Sequence, residues 1–235
     1  MDSYTNIPGY YTTAQAAGIL CVSSHEAARL SRAGRIKAIK AAGDTLLLDA
    51  VDVQLYKNLH QGKGRPLSPE TAWASLWILS GLDAYWLSYP QLRRLKTKLL
   101  TVSALDLIWQ ARNRLQTKRY RASESFFEEL RNELILTGKS SVLGEFALVE
   151  QKRVIEGYTS ASFEALEKKY HLVEDTNGNA IIHLAHGIAW RNNKADAVPI
   201  AAIAADLAVS LDTRERQAGL RTLERLLDEY RENQS

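Results

Sequence analysis

The residues best suited to chemistry lie close together near the start of the chain. Ser24 and His25 carry short hydrogen-bonding side chains, and Arg29 and Arg32 follow His25 at helical steps of four and three. Arg35, Lys37 and Lys40 continue the positive run. Donors on a helix that fits the major groove can meet base edges, while cations at its border neutralise phosphates. The chemistry these residues offer is recognition of duplex DNA, with Ser24, His25, Arg29, Arg32, Arg35, Lys37 and Lys40 as the candidate contacts. A solvated helix face on a protein-binding module is the competing reading, because the same geometry is reused for that purpose.

The elements that must position them are signalled in order. Thr12-Thr13-Ala14-Gln15 has the form of a capping box, and Ala16, Ala17, Ile19 and Leu20 give the following helix a short apolar face. Cys21-Val22 breaks it. Ser23-Ser24-His25-Glu26 is a second box, opening a helix to about Ala33, and Gly34 suits the left-handed position that ends one. Residues 35–40 and 45–48 then flank Ala41-Ala42-Gly43-Asp44 as a strand, turn and strand, and Asp49 can cap a closing helix through Val53, Leu55 and Leu59.

Residues 12–56, TTAQAAGILCVSSHEAARLSRAGRIKAIKAAGDTLLLDAVDVQLY, resemble the excisionase-type, MerR-like helix-turn-helix module. The resemblance implies a winged helix-turn-helix DNA-binding domain over residues 1–60, with Val22, Ala27 and Leu30 pointing inward and Ser24, His25, Ala28, Arg29 and Arg32 on the face offered to the major groove. Glu26 stands where such modules commonly have threonine, and Ala28 where they have a large tyrosine or arginine. Their usual base contacts therefore do not transfer.

With 235 residues and 46% hydrophobic content, the chain can bury a real core in one large domain or two smaller ones. Cys21 is its only cysteine, which excludes an intramolecular disulfide. The first eight residues have neither a basic region nor an apolar run, so no secretory signal is expected, and a cytoplasmic protein follows. The longest apolar run, residues 197–209, contains Asp206 and is too short to span a bilayer, so no membrane partner is expected. The net charge of +3 is unevenly spread: residues 1–65 carry +3, 66–90 carry −2, 91–121 carry +8 and 122–235 carry −6. A polyanion-facing first half and an acidic second half result.

Residues 61–69 read as a linker or a tight connector, and 70–235 as a helical and α/β region suited to binding a partner. The fold class expected is mixed α+β, mainly helical, with a helical segment and a small α/β unit between the N-terminal module and C-terminal helices. Ser68 caps a helix with Pro69 in its first turn, and Trp73 and Trp77 are expected in its core. Residues 92–100 and 104–111 continue in helical style. The basic residues through Arg121, including Arg112, Arg114, Lys118 and Arg119, are placed on exposed sides. Those four are candidate phosphate contacts, unless the stretch docks an acidic protein or is simply solvated. Strands are expected over 134–137, 153–158, 171–173 and 180–184, with Asn177-Gly178 as a hairpin turn between the last two. A helix is expected over 160–170 and two more after Pro199. The last, 213–231, carries Leu220, Leu223, Leu227 and Tyr230 on one stripe that must be buried against its own domain or a partner.

Signatures of catalysis are missing. Gly138-Lys139-Ser140 ends like a phosphate-binding loop, but Glu133 occupies the position of its first glycine. His183 and His186 would face opposite ways in a strand, and a structural role is expected for His183 and the nearby His171. No catalytic residue, metal or cofactor is therefore assigned. GRPLSPETAWASLWILSG, LILTGKSSVLGEF, VIEGYTSASFEALEKKY and VPIAAIAADLAVSLDTRERQAGL resemble a group of bacterial helix-turn-helix antitoxins associated with nucleotidyltransferase toxins of the abortive-infection class. That resemblance implies binding to the chain's own promoter and neutralisation of a cognate toxin, with a homodimer allowed but not required. A free-standing ligand-responsive regulator and an excisionase-like architectural protein are the alternatives.

Overall fold

Thr12 accepts a hydrogen bond from the backbone of Gln15 while the Gln15 side chain accepts from the Thr12 backbone, so the first capping box forms in full. It opens α1 (Thr13–Leu20). The computed structural model describes residues 7–41, 45–60, 62–137, 154–185 and 198–234, and the chain divides into two units, residues 1–61 and 62–235.

In the first unit, Cys21 ends α1 in a left-handed conformation with φ 55°, and three residues later α2 (Ser24–Arg32) begins. The second box forms only by half. Ser23 accepts from the Glu26 backbone, but the Glu26 carboxylate turns to Arg29. Gly34, at φ 67°, reverses the chain as its position predicts. Strands β2 (Ala38–Lys40) and β3 (Leu46–Asp49) pair antiparallel; the turn between them includes 42–44, outside the described residues. Asp49 caps α3 (Ala50–Leu59) through the Asp52 backbone. A strand the sequence did not signal, β1 (Tyr10–Thr12), joins the other edge of β3 and makes the sheet order β1-β3-β2. Ala16, Ala17, Ala27, Leu30, Ile36, Leu48 and Val53 form the core. Two orientations differ from expectation. Val22 is 38% exposed, and Ala28 is buried at 8%, its methyl group small enough to be covered at the flank of the helix.

The second unit is helical at both ends. It begins with α4 (Pro69–Leu79), α5 (Tyr89–Leu99) and α6 (Ala104–Gln110), and closes with α9 (Ile200–Leu207) and α10 (Thr213–Glu232). Trp73 and Trp77 are fully buried on α4, as expected. Of the two readings of residues 61–69, the contacts from Lys63 onward are those of a tight connector. Lys63 N–H donates to Asp106 at 2.5 Å, the Trp109 indole donates to Gly64 O at 2.8 Å and Gln110 donates to Lys63 O at 2.9 Å, so residues from 62 onward are fastened to α6.

A larger difference lies at 112–121. Instead of continuing as helix, this stretch makes one 3₁₀ turn and then β4 (Leu115–Arg121), an interior strand of a five-stranded sheet. After β4 come α7 (Glu124–Glu133), β5 (Ile135–Leu136), β6 (Ile155–Thr159), α8 (Phe163–Tyr170), β7 (Val173–Glu174) and β8 (Ala180–Ala185). The sheet order is β5-β6-β8-β4-β7, with β6 parallel to β8 and the other pairs antiparallel. The Asn177-Gly178 hairpin is thus overturned: β4 lies between β7 and β8. The turn still forms, with Gly178 N–H donating to Asp175 O at 2.9 Å. Glycine is needed there because a Cβ would meet the Tyr120 carbonyl oxygen of β4 at 2.1 Å.

Alternation along the strands divides the sheet into two faces. Tyr120, Ile155, Ala180 and Ile182 pack with Leu130 of α7 and Phe163 and Leu166 of α8. Glu156, Tyr158, Thr117 and His183 occupy the other face, where Tyr158 meets Trp73 of α4 edge-on at 5.4 Å and bonds to Asp206 of α9.

Candidate nucleic-acid interface

Every one of the seven N-terminal candidates is exposed: Ser24, His25, Arg29 and Arg32 on α2, Arg35 and Lys37 between α2 and β2, and Lys40 at the end of β2. His25, Arg29 and Arg32 share one stripe of α2 by helical periodicity, while Ala27 and Leu30 are buried on the opposite side. The local sequence explains this presentation. Ser23 satisfies an otherwise orphaned backbone donor, and Ala27 and Leu30 anchor the helix in the core beside α1. Between Val22 and Ala41 there are five cations and one acid. A helix presenting cations and donors on one face, followed by a cationic strand, has the chemistry to contact base edges and phosphates together.

Arg29 is not a loose cation. Its Nε and a terminal nitrogen each donate to Glu26 at 2.7 Å, a bidentate pair one helical turn apart. That hydrogen bonding holds the Glu26 carboxyl below its ordinary value and raises the Arg29 guanidinium. Glu26 therefore fixes the fork geometry of Arg29 and neutralises part of its field. In the strand region, Lys37 N–H donates to Asp52 at 2.8 Å, which ties the start of the hairpin to α3.

The four phosphate candidates of the second unit do not form such a face. Arg114 is 4% exposed, and its guanidinium is held by Asp206 of α9. It is withdrawn from the phosphate-contact set because no polyanion can reach it. Lys118 is half-buried on β4, donating to Glu167 at 3.2 Å and facing Glu174 at 3.6 Å. Arg119 is half-buried and donates to Thr176 O at 3.3 Å. Arg112 stacks 3.3 Å over the Trp109 ring and donates to the Trp109 carbonyl. Arg112 and Arg114 sit on the 3₁₀ turn and Lys118 and Arg119 on β4, where alternation sends them to opposite faces, so no single helical surface gathers them.

The apolar stripe of α10 is also engaged. Leu223 and Leu227 are buried at 0% and 1% against α9 and the neighbouring helices, Leu220 is half-buried, and the Tyr230 hydroxyl donates to Lys96 O at 3.4 Å. Leu223 and Leu227 are removed from the partner-binding set for this reason.

Sequence reasoning missed a buried polar network. The Asp206 carboxylate accepts from the Arg114 guanidinium, the Tyr158 hydroxyl and the Thr137 hydroxyl, the last at 2.9 Å. Burial opposes the Arg114 charge, but the adjacent carboxylate outweighs it and holds the guanidinium protonated, while burial pushes the Tyr158 hydroxyl well up. Beside it, His183 is buried between Thr117, 2.8 Å from its Nδ1, and Glu156, 3.2 Å from its Nε2. His183 thus has a structural placement, and His171 ends α8 in a left-handed conformation. His186 and Gly138-Lys139-Ser140 lie outside the described residues. The lone aspartate inside an alanine-rich segment, Ala201 to Ala208, was the available signal for the network. Among the described residues no group of three His, Cys, Asp or Glu side chains could hold a metal ion, and no helix is long and apolar enough to cross a membrane.

Compared with known proteins, the chain matches no family model, no curated protein and no solved structure.

Proposed function

We propose that the first unit is a winged helix-turn-helix that binds duplex DNA, with α2 entering the major groove and the β2–β3 hairpin acting as the wing. One observation carries this reading: the capped helix α2 presents His25, Arg29 and Arg32 as an exposed stripe, opposite a buried face, and Arg35, Lys37 and Lys40 extend the positive surface. The test is binding of the full chain to a labelled duplex from the promoter upstream of its own gene. Replacing Arg29 and Arg32 by alanine is expected to weaken specific binding by about 1–3 kcal/mol per lost base contact. Unchanged affinity, with the fold intact by NMR, refutes the assignment.

The sequence resemblance extends the proposal to an antitoxin that represses its own operon and counteracts a nucleotidyltransferase-type toxin. The −6 charge of residues 122–235 supports such a role, since it complements the basic cleft of an enzyme that handles nucleotides. Co-expression with the adjacent gene separates the two parts: the full chain restores growth, and the Arg29, Arg32 double variant still does. A neighbour that is harmless alone removes the antitoxin role and leaves the DNA-binding one.

A further inference from the structure

The exposed large apolar side chains of the described residues are concentrated in one stretch of the sequence. Five of nine, Leu82, Tyr85, Tyr89, Leu100 and Leu105, fall between positions 82 and 105, from the turn before α5 to the start of α6, and Tyr89 is 77% exposed. The same segment is cationic. Between Asp83 and Asp106 there is no acidic residue, and α5 carries Arg93, Arg94, Lys96 and Lys98. None of these four has a salt-bridge partner among the described residues. Tyr89, Arg93, Lys96 and Leu100 follow one another at helical steps and form one wall of an open groove of about 260 Å³, whose other wall is Tyr230 at the end of α10.

We propose that this groove docks an acidic amphipathic helix of a partner protein. The wall from Tyr89 to Leu100 is about 16 Å long, the length of three helical turns. An incoming helix would lay its apolar stripe on Leu100 and the two tyrosine rings, and its acids would meet Arg93 and Lys96. Exposed tyrosine and arginine around an apolar floor are the composition of protein interfaces. A nucleic-acid backbone would satisfy Arg93 and Lys96 but leave the groove's Leu100 uncovered. A second copy docking α5 on α5 would set four cations against four. The proposal is independent of the DNA-binding reading, which concerns the other unit.

The experiment measures fluorescence anisotropy of two labelled 16-residue helical peptides against the full chain. Both carry leucines at three- and four-residue spacing, one with glutamates on the flanks and the other with lysines. The glutamate peptide is expected to bind better. R93E together with K96E should weaken it by about tenfold or more and shift preference toward the lysine peptide, a loss on the scale of two ordinary charge contacts. Tyr89→Ala should weaken both peptides. All three positions are exposed, and unchanged tryptophan fluorescence of the second unit checks folding. The proposal is overturned if the two peptides bind the native chain equally, if neither binds, or if reversal leaves binding unchanged. It is also overturned if a 20-nucleotide single strand or duplex competes at this groove with the same dependence on Tyr89, or if the chain self-associates through Tyr89.

Discussion

Replacing Asp206 by asparagine keeps the side-chain shape and removes the charge that the Arg114 guanidinium faces. Both side chains are almost sealed from solvent, at 3% and 5% exposure, so water cannot take over the lost partner. Breaking a buried ion pair from one side leaves an uncompensated charge and costs about 3–5 kcal/mol. The asparagine amide adds to this by presenting a donor where Thr137 and Tyr158 both donate. With a urea dependence of about 2 kcal/mol per molar, the unfolding midpoint should fall by roughly 2 M. Tryptophan emission reports this unit alone, since all five tryptophans, at positions 73, 77, 86, 109 and 190, belong to residues 62–235. Trp73 also donates its indole N–H to Arg114 O at 3.1 Å, beside the perturbation. Arg114→Met combined with Asp206→Leu should be less destabilised than the sum of the single changes, by at least about 1 kcal/mol. A midpoint shift for Asp206→Asn below about 0.5 M, equivalent to roughly 1 kcal/mol, refutes the argument that the pair is mutually dependent.

Gly219→Ala should destabilise the same unit by about 1–3 kcal/mol by overpacking, although alanine ordinarily favours a helix interior. The added Cβ would meet Ala204 O at 2.4 Å and Ala208 N at 2.5 Å, and a raised urea midpoint would contradict this close approach of α9 to α10. Stability of the second unit should also fall in acid. Lys169 and Tyr170 hold Glu133 below its ordinary 4.5, Tyr120 and Lys118 do the same for Glu167, and the Asn177 backbone and Arg121 hold Asp175 below 3.8. Because these folded values are depressed, their contribution is complete above the ordinary values and is lost as pH falls through the folded ones. The urea midpoint should therefore decline below pH 4.5, less steeply in a Glu133→Gln, Glu167→Gln variant; a midpoint that rises on acidification reverses the sign and refutes the assignment.

Local chemistry made much of this protein legible in its sequence. The capping residues Thr12, Ser23, Asp49 and Ser68 mark helix starts found in the structure, because a cap is an exchange between a side chain and a backbone three residues away. The exposed cations of α2 and the length of α10 followed from helical period in the same way. Tertiary structure decided what depends on distant partners. Residues 115–121 carry polar and basic side chains that read as a helix surface, yet pairing with β8 and β7 makes them an interior strand. That pairing also separates β7 from β8, which no turn signal at Asn177-Gly178 could reveal. Arg114 looked like a surface cation because its compensating charge lies 92 residues away, on a helix that carries Asp206 into the core. The stripe of α10 was visible, but whether Leu223 and Leu227 met their own chain or another depended on where α9 runs. Sequence separation hides such contacts, because the energy that selects them is released only when the chain has closed around them.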